Sequence, residues 1–272
     1  MHRRELIQLF GATAAARLWP RFLMPPRRIG VIGLQLYTVR KMMERNVEAT
    51  LSAVSAIGYR EVELNGLYGL TPAAMRQMLD RNHLLAPSSH ISLEDMRANW
   101  PRTLDAAAIL GQKFIVLPWL DEKDRTPDGM ERIVHDLNTA GEVALKAGIQ
   151  LAYHNHDFEF KPVNGAIPYA TLLAKTDPKL VKFELDLYWV VEAGQDPRAY
   201  IEKYPGRFPL LHVKDRSAEG KMADVGQGVI DFKKIFAKAG RSVQHYFVEH
   251  DEPPSPIDDA RISYEYLHKL SF

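Results

Sequence analysis

The segment Tyr153-His154-Asn155-His156-Asp157-Phe158-Glu159-Phe160 places two imidazoles, an amide and two carboxylates directly after the mostly apolar run 149–153. Imidazole and carboxylate bind divalent cations and move protons near neutral pH. The same types recur: Glu63 after "REV", His90 after "APSS", Asp186 after "KFEL", His212 and Lys214 in "HVK", and Glu249 after "HYFV". Singly, each has an ordinary structural explanation as a loop hydrogen bond, a cap or a surface ion pair. Together they close six apolar or mixed runs. Burying several such groups without a compensating arginine cluster is costly unless they coordinate a cation. Two His, one Asp and one Glu suit Mn, Zn, Co or Mg, with the imidazoles favouring Mn or Zn.

The elements that must position these residues are legible as an alternation. Short β-branched or aromatic runs fall at 32–36, 61–63, 86–90, 114–117, 150–154, 181–186, 210–214 and 245–249. Helical stretches fall at 47–57, 72–82, 103–110, 129–147, 168–175, 197–203, 232–239 and 258–270. Thr71-Pro72 and Asp196-Pro197 look like N-caps followed by proline in the first turn. Gly58, Gly111, Gly148 and Gly240 lie where helices should stop. Eight strand–helix units in about 240 residues predict an α/β fold, a (β/α)8 TIM barrel, as one domain over 29–272. An open doubly wound sheet would more often carry a Gly-rich turn after an early strand, whereas Gly30 and Gly33 open the first strand. In such a barrel, chemistry sits at the C-terminal strand ends. Residues i and i+2 of a strand share a face, so His154 and His156, Glu184 and Asp186, and His212 and Lys214 pair off.

Composition narrows the function classes. The 272-residue chain is 46% hydrophobic and 25% charged, with a formal net charge of +1. That balance, with no dense Lys/Arg stripe, argues against a nucleic-acid partner. Without cysteine there is no disulfide framework and no thiolate chemistry. Residues 1–28 differ from the rest. Arg3-Arg4 precedes a modestly apolar segment, 6–16, ending in Ala14-Ala15-Ala16. This pattern resembles a twin-arginine export signal and predicts a periplasmic or exported protein; the alternative is a short amphipathic helix on a cytoplasmic one. No later run is long and apolar enough for a membrane span. A homo-oligomer is compatible with the sequence.

Seven motifs carry a family resemblance: "GLQLYTVR" (33–40), "GYREVELNG" (58–66), "SSHISLEDM" (88–96), "YHNHDFEF" (153–160), "FELDLYWV" (183–190), "HVKD" (212–215) and "VEHD" (248–251). Through them the chain resembles the xylose isomerase-like TIM-barrel superfamily, the sugar phosphate isomerase/epimerase group, over nearly all of 29–270. The resemblance implies one divalent metal ion with a ligand from each of strands five to eight: His154, Asp186, His212 and Glu249. Many relatives carry Glu where His154 stands, so the first ligand here would be an imidazole. In the family's sugar epimerases two glutamates act as acid and base on opposite faces of the substrate carbon. Here Glu249 remains, and His156, Glu159 or Lys214 would supply the second group. No equivalent of the trinuclear zinc site of the related endonucleases is evident.

The expected activity is metal-assisted proton transfer next to the carbonyl of a sugar or keto-sugar through an enediolate, giving isomerisation or epimerisation. Glu249 would move the proton, and Lys214 would supply positive charge at the developing oxyanion. Glu63 and His90 would hold substrate hydroxyls, while Tyr37, Trp119, Tyr188 and Trp189 could wall the pocket. The alternatives are a lyase on the same scaffold (a dehydratase or keto-glycoside β-eliminase) and a non-catalytic carbohydrate-binding barrel.

Overall fold

The computed structural model describes residues 26–272. Its strands are β1 (Gly33–Gln35), β2 (Glu61–Leu64), β3 (Leu85–His90), β4 (Phe114–Leu117), β5 (Gln150–His154), β6 (Val181–Asp186), β7 (Leu210–Val213), β8 (Asp215–Arg216), β9 (Met222–Ala223) and β10 (His245–Val248). Eight of them close a parallel barrel: β1 to β7 in sequence order, then β10, which pairs back to β1. Strands β8 and β9 form a separate antiparallel hairpin. The expected barrel is therefore observed, with strand ends that match or shift by one residue.

The helices are α1 (Arg40–Arg45), α2 (Val47–Ile57), α3 (Pro72–Arg81), α4 (Leu93–Ala98), α5 (Trp100–Leu110), α6 (Pro127–Lys146), α7 (Pro168–Lys175), α8 (Leu187–Glu192), α9 (Pro197–Lys203), α10 (Phe232–Ala239) and α11 (Pro256–Lys269). Several begin earlier than hydrophobic periodicity predicts, because a proline in the first turn extends the helix backwards. In α6, Thr126 caps by accepting from the Gly129 N–H, and Pro127 follows it. Gly111 ends α5 in the left-handed conformation, φ 76°, where a side chain would be strained. The six-residue helices α1, α4 and α8 escape the sequence pattern.

Strand alternation sorts the side chains into an outer and an inner set. The outer set, including Leu34, Val62, Ile115, Tyr153, Phe183 and Leu211, is buried beneath the helices. Within the barrel, Phe114, Val116, Ala152, Leu210 and Phe247 form an apolar plug. Gly33 lets β1 pass that plug, since a Cβ there would overlap the Phe247 ring. Glu61 and His245, at the N-terminal ends of their strands, pair at 2.8 Å. One inward step beyond the plug, the positions become His154, Glu184, His212 and Glu249. The plug gives the polar layer a dry floor.

Candidate metal-binding active site

His212, at the third position of β7, organises this layer. Its Nδ1 lies 2.7 Å from Glu249 Oε2 and 3.8 Å from Asp186 Oδ2. Its Nε2 lies 2.7 Å from Glu63 Oε2 and 3.0 Å from Glu184 Oε2. The register places Asp186 beside His212 and Glu184 beside His154. His154 Nδ1 approaches Glu184 Oε2 at 3.2 Å, and its Nε2 lies 3.9 Å from Asp186 Oδ2. His90 Nε2 reaches Glu184 at 2.9 Å and Glu63 at 3.1 Å. Two ligand-like groups therefore share His212: His90, His154, Glu184 and His212, and Asp186, His212 and Glu249.

The electrostatics are those of a buried, over-anionic centre. Glu63, Glu184, Asp186 and Glu249 are all buried, and Lys214 is the buried ammonium among them. Its Nζ sits 3.0 Å from Asp186, 2.7 Å from Glu249 and 2.9 Å from Asp251. Burial opposes charge on Glu249, but Lys214 and His212 outweigh it and hold the carboxyl below its usual range. For Asp186, burial dominates and raises the carboxyl to about 6 despite Lys214 and His212. Burial also opposes charge on His212 and His90, yet their carboxylate neighbours win; His212 is raised well above its usual value and His90 to about 9. His154 goes the other way, lowered by burial and by the surrounding cationic groups.

The donor set fits a divalent cation. Glu184 Oε1 and Asp186 Oδ2 are buried acceptors with no hydrogen-bond donor; the 3.0 Å ion-pair contact of Asp186 Oδ2 with Lys214 lacks hydrogen-bond geometry. Orphaned buried acceptors of this kind are costly unless a cation or water meets them. Mixed imidazole and carboxylate ligation suits a borderline cation such as Zn or Mn.

The expected site residues divide into three groups. Asp186, His212 and Glu249 form one ligand-like group with Lys214 against it, and His154 falls in the other, which shares His212. Glu63 is fully buried and takes hydrogen bonds from Gln35, Ser88 and His212. It orients His212 and His90, and its expected contact with a substrate hydroxyl stands as a proposal. Glu159, the other expected substrate contact and candidate second base, lies just beyond β5. The turn after Asp157 swings it inward, where it accepts from Tyr153 Oη at 2.7 Å and the His156 N–H at 2.8 Å. Burial raises it to about 7, and these two hydrogen bonds hold it beneath the His156 backbone. His90 is both a network member and partly exposed, its side chain 12% accessible.

His156 does face the cluster, its ring 4.9 Å from that of His154. Burial, followed by Lys214, lowers it to about 3, so the ring is neutral, and its Nδ1 has no partner. Trp119 and Trp189 flank it at 4.8 and 5.4 Å between ring centres. Arg125 is stacked over Phe158 at 3.7 Å and over Trp119 at 4.5 Å, bracing that wall. Tyr188 is structural: its hydroxyl donates to the Gly220 carbonyl.

Two residues were not chosen from the sequence. Glu184 was legible as the i−2 neighbour of Asp186 on the same face. Asp215 had no such signal. It accepts from the backbone N–H groups of Arg216, Gly226, Gly228 and Ile230, pinning the loop that follows β7.

A closed eight-stranded parallel barrel with a buried imidazole–carboxylate centre at the C-terminal ends of its strands is a TIM barrel. The chain belongs to the xylose isomerase-like TIM-barrel family, whose sequence model matches residues 51–269. It is 25% identical over 232 residues to an inosose dehydratase of Lacticaseibacillus casei, covering 71% of this chain and 77% of that protein. Among solved structures, it resembles a sugar phosphate isomerase/epimerase from Parabacteroides distasonis, with 31% identity, a TM-score of 0.76, and coverage of 87% of this chain and 93% of that one. The fold is also similar to that of the IOLI protein with a bound zinc atom, at 14% identity, TM-score 0.69, and coverage of 86% and 95%. Enzymes thus recur on this scaffold among its relatives. No helix among the described residues is long and apolar enough to cross a membrane.

Proposed function

We propose that the protein removes the proton next to the carbonyl of a keto-sugar or keto-cyclitol and expels the β-substituent, a metal-assisted lyase reaction. The observation that carries this reading is the asymmetry of the proton-transfer groups. Glu249 is an ionised carboxylate at the open end of the centre; Lys214 and His212 both meet its Oε2, and neither of those contacts uses Oε1. Glu249 Oε1 takes the α-proton. On the fifth strand, where an epimerase of this family would have a second glutamate, His154 is buried and neutral. A single carboxylate base suits elimination better than two-sided proton exchange. Similarity to an inosose dehydratase supports the same choice.

Asp186, His212 and Glu249, with His154, would hold the cation, which when bound supplies positive charge to the substrate carbonyl oxygen. Lys214 adds a fixed ammonium beside Asp186 and Glu249. The neutral His156 ring, with its unpartnered Nδ1, orients a substrate hydroxyl and relays to the leaving oxygen the proton that Glu249 has taken, which restores both side chains. Trp119 and Trp189 exclude water on that side.

Isomerisation or epimerisation is the second reading, favoured by similarity to the Parabacteroides structure and by His156 as a second proton-transfer group. Product mass separates the two: elimination of water or an alcohol lowers the mass of the ring product, and epimerisation leaves it unchanged. A binding-only barrel would give no product from inosose or keto-glycosides with Mn or Zn present. Residues 1–25 lie outside the described residues, so the export signal stands as a proposal, tested by N-terminal sequencing of protein recovered from a periplasmic fraction.

A further inference from the structure

The two ligand-like groups that share His212 differ in how their imidazoles are hydrogen-bonded. A ring nitrogen that hydrogen-bonds to an ionised carboxylate carries a proton, because the carboxylate can only accept. A ring with one nitrogen occupied in this way ligates a cation with the other. The partners of each ring therefore fix which nitrogen is left for the cation.

In His212, Nε2 lies 2.7 Å from Glu63 Oε2 and 3.0 Å from Glu184 Oε2. Its Nδ1 faces Glu249 Oε2 at 2.7 Å and Asp186 Oδ2 at 3.8 Å. In His154 the two nitrogens exchange roles. Nδ1 lies 3.2 Å from Glu184 Oε2, while Nε2 lies 3.9 Å from Asp186 Oδ2 and makes no hydrogen bond among the described residues. His212 Nδ1 and His154 Nε2 thus face one atom, Asp186 Oδ2, a buried acceptor without a hydrogen-bond donor. A proton on His212 Nδ1 would satisfy Glu249 and leave Asp186 Oδ2 unmet, whereas a cation meets all of them. The other side of His212 is already filled: Glu63 Oε2 also accepts from Gln35 at 2.7 Å, and Glu184 Oε2 meets three imidazole nitrogens. His90 joins those two fully buried carboxylates, its Nε2 2.9 Å from Glu184 and 3.1 Å from Glu63. Its ring stacks on that of His212, 5.3 Å between centres and 16° apart.

We infer that Glu63, His90 and Glu184 form a supporting tier that holds no metal of its own and sets the tautomers of both imidazole ligands. Glu63 and Glu184 keep a proton on His212 Nε2 and on His154 Nδ1, so the cation is met by His212 Nδ1 and His154 Nε2. His90 is a positioning residue that keeps the two carboxylates in place. The inference rests on the metal-assisted reading above.

The test uses the whole chain, labelled with nitrogen-15 at histidine and loaded with cadmium-113 as the probe ion. One-bond cadmium–nitrogen coupling reports which ring nitrogen ligates, and His90→Gln and His154→Gln assign the rings. The expected result is one ion per chain, coupled to His212 Nδ1 and His154 Nε2, with the other nitrogen of each ring protonated and no coupling to His90. His90→Leu should lower cadmium affinity about 10–100-fold in a chelator competition. His90→Gln, whose amide can donate to both Glu63 and Glu184, should restore most of it. Coupling to His212 Nε2 or His154 Nδ1, a second ion coupled to His90, or unchanged affinity in His90→Leu overturns the inference. The coupling pattern is read on the wild type, so the inference is decided even where His90→Leu does not fold. No turnover enters these readouts, so each of those results leaves the lyase reading intact. A chain that binds no cadmium overturns the inference and the metal-assisted reading together.

Discussion

Replacing Lys214 with Met tests whether one buried ammonium neutralises this centre. Its Nζ lies within 3.0 Å of Asp186, Glu249 and Asp251, and its side chain is 2% exposed. Methionine keeps most of the volume and removes the charge. Breaking a buried ion pair by deleting one partner costs about 3–5 kcal/mol, because the remaining charge stays buried. Here two buried carboxylates and the partly exposed Asp251 lose their shared partner, so the upper part of that range applies. For a chain of this size about 1 kcal/mol shifts Tm by roughly 2–4 °C, giving an expected fall of roughly 10–20 °C. Scanning calorimetry of the metal-free protein at neutral pH reads it. Added Mn should recover much of the loss, since a cation bound by Asp186 and Glu249 stabilises the folded state in proportion to its affinity. A control removes an exposed pair: Lys146 bonds Glu142 with both side chains more than half exposed, and Lys146→Met should move Tm by less than about 2 °C. If Lys214→Met also shifts Tm by less than about 2 °C, the buried-charge reasoning is wrong.

Glu249→Gln should lower kcat about 10²–10⁴-fold, with the folded circular dichroism spectrum intact, because the side chain can no longer take the α-proton. Glu184→Gln should weaken Zn affinity about 10–100-fold in a chelator competition, since Glu184 orients three imidazoles at the centre. Glu159 predicts a pH dependence of stability. Its folded pKa, raised to about 7 from 4.5, means the folded state binds this proton more tightly than the unfolded state does. Stability should therefore fall as pH rises between about 4.5 and 7, by about 3 kcal/mol in all, and level off above. Glu159→Gln, whose amide can serve both Tyr153 and the His156 N–H, should flatten that part of the urea-denaturation profile; an unchanged slope would show that Glu159 does not titrate there.

The barrel was legible because its two periodicities are strong. Runs such as 114–117 and 150–154 match β4 and β5 residue for residue, and Thr71-Pro72 marks the start of α3. The short helices α1, α4 and α8 were missed because six residues span fewer than two turns, too few for an apolar stripe to show. Much of the candidate centre followed from strand alternation: His154 and His156, and His212 and Lys214, do share faces. What alternation leaves open is depth. Glu63, nominated for substrate contact, lies beneath His90 and His212, and only the closed barrel brings Gln35 and Ser88 onto it. Glu184 was passed over in favour of Asp186, although the pairing of β5 with β6 sets it directly beside His154. Glu159 fell beyond the end of β5, where the period of two no longer applies and a turn decides direction. Glu61 and His245 carry the same residue types yet pair below the apolar plug, so residue type at a strand terminus does not by itself mark a site.

The central claim is abstraction of the proton next to a carbonyl, common to elimination and epimerisation. It is tested most directly by following the label of inosose deuterated at the carbon next to its carbonyl, with deuterium NMR of the reaction mixture in the presence of Mn or Zn. The account predicts that deuterium appears in solvent water as product forms, and that Glu249→Gln suppresses both together. Product formed with all the deuterium retained, or release undiminished in Glu249→Gln, would contradict it.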